Sequence, residues 1–417
     1  MKKSERKWEP SYGWVVVGAG LIITMIVYGI NFSFAVFFKP LLQSFQWGRG
    51  QTALIWAANW MTFSLVALLI GPLTDRFGAR RTMLAGSCLF CSGILFSSQA
   101  TSLLHFSLLF GMLGSVGLAS TLMPLVVTVT RWFDRWQGLA LGMAQSFNTG
   151  TLVISPLAAW LVINYGWQQA FLVLGVLALV TVVPLTVFIR EPQGIFSTVP
   201  QERGLSDSSQ DFKLRQALRT RTYWSLKLMV LGCCICHSFL LLHLVNYLTD
   251  QGLTISRAAM FYGLLGVASA CGRIVNGLCA DRIGAKPAIA GFLFVQGLGI
   301  LLFLRPDQFW LLYLGTIVWG MAQGGPMSCY PMLYRKYFGK RHLATLMSGF
   351  YAIGGLGMAL GGLLGGVLYD VTGGYQLSFA ISLIGGVGAA LVAMTLQPPD
   401  RSLMGEHSGF DQKPVLA

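Results

Sequence analysis

Gly71-Pro72-Leu73-Thr74-Asp75-Arg76-Phe77-Gly78-Ala79-Arg80 returns 206 residues later as Gly277-Leu278-Cys279-Ala280-Asp281-Arg282-Ile283-Gly284-Ala285-Lys286. Other matches keep nearly that offset. Phe133 with Leu139-Ala140 answers to Phe338 with Leu343-Ala344, and Gln168 and Phe171 answer to Gln376 and Phe379. The chain is one design written twice. In each copy the motif joins two long apolar stretches, so Gly71 and Gly277 are expected to let helix ends pack closely. Asp75 and Asp281 are expected to cap the following helix or to pair with an arginine across the seam between copies. Gly78, Arg76, Arg80 and Arg282 complete the expected conformational gate.

The apolar stretches are of membrane length. Residues 82–130 and 136–189 contain no Asp, Glu, Lys or Arg. A bilayer-spanning helix takes about 20 residues, so each stretch holds two spans. Ser97-Ser98-Gln99 and Asn164-Tyr165-Gly166 mark the turns. Extending this reading places twelve spans near 12–38, 50–72, 81–98, 102–130, 137–163, 167–189, 223–248, 256–280, 286–304, 308–334, 342–368 and 374–396. Only 11% of the 417 residues are charged and 54% are hydrophobic, far from the roughly one-quarter charge of soluble domains. The expected fold is an all-α membrane protein of two pseudo-symmetric six-helix bundles, 12–189 and 223–396. A linker at 190–222, an N-terminus at 1–11 and a tail at 397–417 are expected in the cytoplasm. In the linker, Phe212, Leu214, Ala217 and Leu218 alternate with Lys213, Arg215 and Arg219, as in a short amphipathic helix lying on the membrane surface.

The net charge of +14 has a positional explanation. With both termini inside, 24 of the 29 basic residues fall in inner segments and only Lys39, Arg49, Arg257 and Arg305 in outer loops. That asymmetry sets an orientation and removes the need for a nucleic-acid partner. An inner-membrane, multi-pass, monomeric protein is expected. The apolar run after the basic N-terminus is long for a signal peptide and lacks a cleavage site, so it is expected to stay as the first helix. All eight cysteines fall within predicted spans and are expected to pack as small apolar residues. No paired Cys or His set supports a metal, no phosphate-binding loop appears, and no nucleophile–base set points to an enzyme. No cofactor is expected.

The repeated motif resembles the loop signature of the major facilitator superfamily, whose two halves rock about a midplane site. Two further stretches resemble the monocarboxylate transporter family. They are Tyr12-Gly13-Trp14-Val15-Val16-Val17, in a span ending Val36-Phe37-Phe38-Lys39, and Trp132-Phe133-Asp134-Arg135-Trp136-Gln137-Gly138-Leu139-Ala140-Leu141-Gly142-Met143-Ala144. By these the chain is identified as a bacterial member of that family, with a looser similarity to oxalate/formate exchangers. The resemblance implies transport of a small carboxylate, often with a proton. It also implies that Arg273, in Gly272-Arg273-Ile274-Val275-Asn276-Gly277, binds substrate.

The residues themselves support that role. Arg273 stands about 12 Å along a helix from Asp281 and is read as the one charge inside a span. An arginine in hydrocarbon costs about 2.5–3.5 kcal/mol, so it normally faces a cavity. Its fork matches a carboxylate with two hydrogen bonds. All fifteen acids lie in tails, loops or helix ends, which leaves Arg273 without a resident counter-ion. Where many family members carry an Asp, the animal members a first-span Lys and the dicarboxylate exchangers a span-eleven Lys, this chain has Ser269, Phe32 and about Gly354. One cation suits one carboxylate. Tyr28, Asn31, Gln323, Ser328 and Tyr351 are the other expected pocket residues, with Gln145 and Asn148 weaker. His237 is the candidate proton carrier; transport with a proton, anion exchange and unassisted passage stay open. The leading reading is a secondary carrier of a lactate- or pyruvate-like monocarboxylate. The alternatives are a carrier of a larger amphiphile such as a drug or siderophore, a carboxylate antiporter, or a membrane sensor.

Overall fold

The computed structural model describes residues 11–133, 137–191, 212, 214–305, 308–339 and 343–400, and the regular structure among them is helical. The expected N-terminal segment up to residue 10, most of the linker, the tail from 401 and the side chain of Asp75 lie outside the described residues.

Backbone polar groups have no water to bond with inside a bilayer, so each apolar run becomes a helix. α1 (Ser11–Phe32) and α2 (Phe34–Phe45) form the first pass, α3 (Arg49–Phe77) the second and α4 (Ala79–Ser97) the third. α5 (Leu103–Phe106) runs through a π-helical stretch into α6 (Gly114–Trp132) as the fourth. α7 (Gln137–Ala144) leads into α8 (Thr151–Leu185), which bends at Gly166 (φ 80°) to make passes five and six. After the short α9 (Leu214–Arg219) come α10 (Arg221–Asp250), α11 (Ile255–Ile283) and α12 (Ala285–Gly299). α13 (Phe309–Gly324) and α14 (Pro326–Phe338) share the tenth pass; α15 (Leu343–Thr372) and α16 (Gln376–Thr395) close the set. Among the described residues nine stretches are long and apolar enough to cross a membrane. One of them, the 49-residue Ala140–Phe188, is the bent pair. α4 and the interrupted α13–α14 pair bring the passes to twelve.

The surface is that of a protein whose solvent is lipid. Large apolar side chains point outward, with Val180 66% and Ile384 71% exposed, whereas Asn31, Asn59, Asn276 and Gln296 are fully buried.

Three local expectations change. The first helix does not stop at residue 38; α2 carries it to Phe45. The fifth pass is not one helix, because the chain unwinds between Ala144 and Thr151 through a 3-10 turn at Phe147–Gly150. The linker helix is not a floating amphipath. It is six residues long, and Phe212 and Ala217 are buried; the Phe212 amide bonds the Phe338 carbonyl at 3.2 Å. It is tied to α14 of the second half.

The repeated motif does the same backbone work twice. Gly78 (φ 83°) and Gly284 (φ 91°) stand between α3 and α4 and between α11 and α12, at dihedrals that a side chain rarely adopts. The capping expected of the aspartates is absent at Asp281, which is exposed, and α12 starts without a side-chain cap. At α4 the cap comes from Glu191, which accepts from the Ala79 amide at 3.0 Å and pairs with Arg131 at 3.1 Å. Arg76, Arg80 and Arg282 are exposed.

The halves meet unevenly. α1 begins and α16 ends at one end of the bundle, here termed the terminus end. From the far end inward, Arg49 and Ala53 lie against Gly366, Trp56 against Gly362, and Trp60 and Ser64 against Gly355. On the other side of the seam Leu152 lies against Gly263 and Thr151 against Gly266. Toward the terminus end such contacts at the motif glycines stop. A Cβ on Gly71 or Gly277 would meet nothing within 4 Å. The close packing expected of Gly71 and Gly277 is therefore missing in this structure.

Candidate functional site

Arg273 lies at the seam between the halves. The break in pass five makes its position chemically useful. In a continuous helix the Gln145 carbonyl would accept from the Thr149 amide. Here that amide bonds Ser146 at 3.2 Å instead, and the carbonyl is left over. Arg273 Nη1 of the opposite half donates to it. Four residues earlier on α11, Ser269 Oγ accepts from Asn148 Nδ2 at 2.9 Å. Phe147, in the unwound turn, puts its ring 4.7 Å from the guanidinium carbon. The Arg273 Nε is buried without a partner. Among the described residues no carboxylate pairs with this guanidinium. Guanidinium donors therefore remain available, on a fork held flat by a ring and a carbonyl.

Two expected pocket residues join it. Tyr28 stacks on the same Phe147, centroids 4.3 Å apart, and its hydroxyl bonds the Leu118 carbonyl at 3.4 Å. Tyr351, on α15, lies in the neighbourhood of both Arg273 and Tyr28. Tyr28, Phe147, Arg273 and Tyr351 thus form one cluster across the seam. Asn31, one turn along from Tyr28, is fully buried with both amide atoms unpartnered. Phe32, where a lysine was absent from the sequence, packs on Trp56 and Trp60, each at 6.1 Å. The wall beside the arginine is aromatic.

The remaining candidates stand apart. Gln323 is buried with a free Oε1, beside Gly324, which packs on the Ser269 carbonyl. Ser328 gives its hydroxyl to the Gly325 carbonyl at 2.9 Å, at the break between α13 and α14. His237 Nδ1 lies 3.8 Å from Cys233 Sγ, and Gln296 Nε2 bonds the Cys233 carbonyl at 3.2 Å. That cluster is internal to the second half.

Two features went unseen in the sequence. Lys227 falls within the expected span 223–248, lies inside α10 and is 4% exposed, so Arg273 is not the one charge within a span. Its position six residues past the helix start was the available signal. The second feature is a latch at the far end. Arg49 Nη2 reaches Asp250 at 2.6 Å and Lys39 reaches the same carboxylate at 3.0 Å. Arg49 also donates to the Tyr375 hydroxyl and lies 3.6 Å over the Tyr369 ring. Asp370 accepts from the Arg49 and Gly50 amides at 2.9 and 2.7 Å, capping α3 from the opposite half. Burial pushes the Tyr375 phenol up, so it stays protonated and neutral beside Arg49.

Gly272 sets the height of Arg273. A Cβ there would stand 2.0 Å from the Met321 carbonyl oxygen, which is backbone and cannot turn aside. Gly272→Ala is expected to push α11 off α13, cost about 1–3 kcal/mol and lower transport. A thermal-shift measurement in detergent checks it; an unchanged midpoint contradicts the close fit.

The known proteins agree with this architecture. The chain is similar to monocarboxylate transporter 13 of Bos taurus, 28% identical over 92% of this chain and 87% of the relative. It is equally similar, at 28%, to monocarboxylate transporter 11 of Homo sapiens over 89% of this chain and 80% of that one. Among solved structures it resembles a bacterial homolog of the human lysosomal transporter Spinster in an inward-facing, occupied conformation. The TM-score is 0.72 at 17% identity, covering 92% of this chain and 97% of the other. The unoccupied form of that homolog gives a TM-score of 0.69. The sequence pattern of the Major Facilitator Superfamily matches residues 20–304 and 268–416, nearly the whole chain. Twelve passes in two repeats, a matching solved fold and that coverage make this chain a member of the major facilitator superfamily, a multi-pass secondary transporter and not an enzyme.

Proposed function

We propose that the protein carries a small monocarboxylate across the membrane by alternating access, with Arg273 as the anion anchor. One observation carries the reading. A guanidinium sits between the halves with no carboxylate partner among the described residues, braced by the Gln145 carbonyl and the Phe147 ring and keeping a buried free donor. An unpaired buried cation calls for an anion. The aromatic wall of Tyr28, Phe32 and Trp60 suits a short apolar tail. The similarity to monocarboxylate transporters supports the substrate class. The excess of basic residues at the terminus end argues that this end faces the cytoplasm. The far-end latch is then the closed outer gate, and the uncovered Gly71 and Gly277 belong to the inner one.

A substrate anion neutralises Arg273 and lets the two halves close over a site without net charge. That couples binding to rocking, since a ligand moves an equilibrium only through differential affinity. The test is uptake of labelled lactate, pyruvate and acetate into proteoliposomes. Saturable uptake, weakly inhibited by oxalate, is expected, because one guanidinium answers one carboxylate. No uptake of the three sinks the reading and favours a carrier of larger amphiphiles.

A further inference from the structure

Lys227 is a second cation inside the membrane, and nothing so far uses it. It lies six residues into α10, about 9 Å from the helix start, and is 4% exposed. Its Nζ has no hydrogen-bond partner. The Nζ stands 4.8 Å from the Tyr223 ring centroid and 5.7 Å from that of Tyr334. The Tyr334 hydroxyl is also buried and unpartnered. On the third side comes α15. A Cβ on Gly349 would stand 2.8 Å from Nζ and 3.1 Å from the Tyr223 hydroxyl. Among the described residues the titratable groups facing Lys227 are Tyr223 from its own helix and Tyr334 from α14, and α15 brings Gly349 against it. Among the described residues no acid pairs with it.

Two aromatic faces soften the cost of an ammonium there but do not remove it. Loss of the proton removes it, and among the described residues no acid stands by as a counter-ion. Lysine is also the cation that gives its proton up when desolvated, whereas arginine keeps its own.

We propose that Lys227 carries the proton coupled to anion transport, an inference that rests on the anion-carrier reading above. The Nζ lone pair takes a proton from water at the terminus end in one state, forming an N–H bond. In the other state that bond breaks heterolytically, the pair returns to nitrogen and the proton leaves to water. No electrons are exchanged with any other group. The coupling is electrostatic. Arg273 and Lys227 are like charges in one low-dielectric body. An anion on Arg273 cancels the first charge and so favours the proton on the second. Anion and proton are therefore taken up together.

The experiment uses proteoliposomes of the full chain loaded with a pH-sensitive dye. With the interior about one pH unit more alkaline, coupling to one proton sustains about tenfold accumulation of lactate or pyruvate. The dye should report proton entry with the anion. Lys227→Met should exchange labelled for unlabelled anion as the wild type does. Its accumulation should fall by about tenfold to none, with no dye response. Lys227→Arg, which cannot release its proton, should lose accumulation in the same way. Lys227→Gln serves if the methionine variant fails to fold. A folded Lys227→Met that still accumulates anion overturns the proposal, as does wild-type anion uptake without proton entry. Folded variants that lose exchange together with accumulation also overturn it, since Lys227 would then be needed for the anion itself. A wild type that moves none of the carboxylates defeats the substrate reading alone. The same dye assay with other organic anions then decides the role of Lys227.

Discussion

Arg273→Ala is expected to abolish saturable carboxylate uptake while the protein still folds. Truncating one partner of a buried charged pair costs 2–5 kcal/mol or more, and about 3 kcal/mol is roughly a hundredfold in affinity. The initial rate at low substrate should fall by about that factor. The fold should not suffer. Among the described residues Arg273 has no acidic partner, so its removal takes away an uncompensated buried charge, and the thermal midpoint should hold or rise. Arg273→Lys should rescue poorly. An ammonium keeps the charge but loses the fork and the flat face against Phe147. Uptake rates and melting curves measured on the same preparations check both halves of the expectation. A folded Arg273→Ala protein with wild-type uptake would remove the anchor from the mechanism.

The second large effect is conformational. Arg49 comes from the first half, yet its side chain is held by Asp250, Tyr369 and Tyr375 of the second. The side chain is only 12% exposed, so its ion pair is worth more than a surface one. Arg49→Ala leaves the Asp370 cap on the α3 amides in place and removes the rest. Loss of about 3 kcal/mol from one of two competing states moves their ratio by about a hundredfold. Amide hydrogen exchange should therefore quicken in residues 43–50 and 369–375, with little change inside each half. Unchanged exchange there would mean that the latch does not hold the far end shut. Lys39→Ala should act in the same direction but more weakly, since that side chain is 35% exposed and Asp250 keeps Arg49.

The lower legibility of these groups has a physical source. Lys39, Arg49, Asp250 and Asp370 read in sequence as scattered outer-loop charges, and only folding brings positions 49 and 370 together. Lys227 does not stand out in sequence because basic residues crowd before it, although its helix has already begun at Arg221. The span breaks escaped for a related reason. Hydropathy is blind to backbone hydrogen bonds, so Gln145-Ser146 looked like any other pair within an apolar run, yet it is where the helix opens. Phe147 was passed over as one phenylalanine among 27, although it joins Tyr28 to Arg273.

Twelve passes, the internal duplication and the isolation of Arg273 from every acid follow from the order of residues along the chain. They do so because bilayer thickness imposes one length on every span, and because a buried charge stands out against hydrocarbon wherever it falls. The contacts that give Arg273 its free donors, cage Lys227 against Gly349 and shut one end of the bundle join residues far apart in sequence. Those were decided by how the halves pack. Each depends on which groups are left unsatisfied once two surfaces meet, and a span read alone has only one surface.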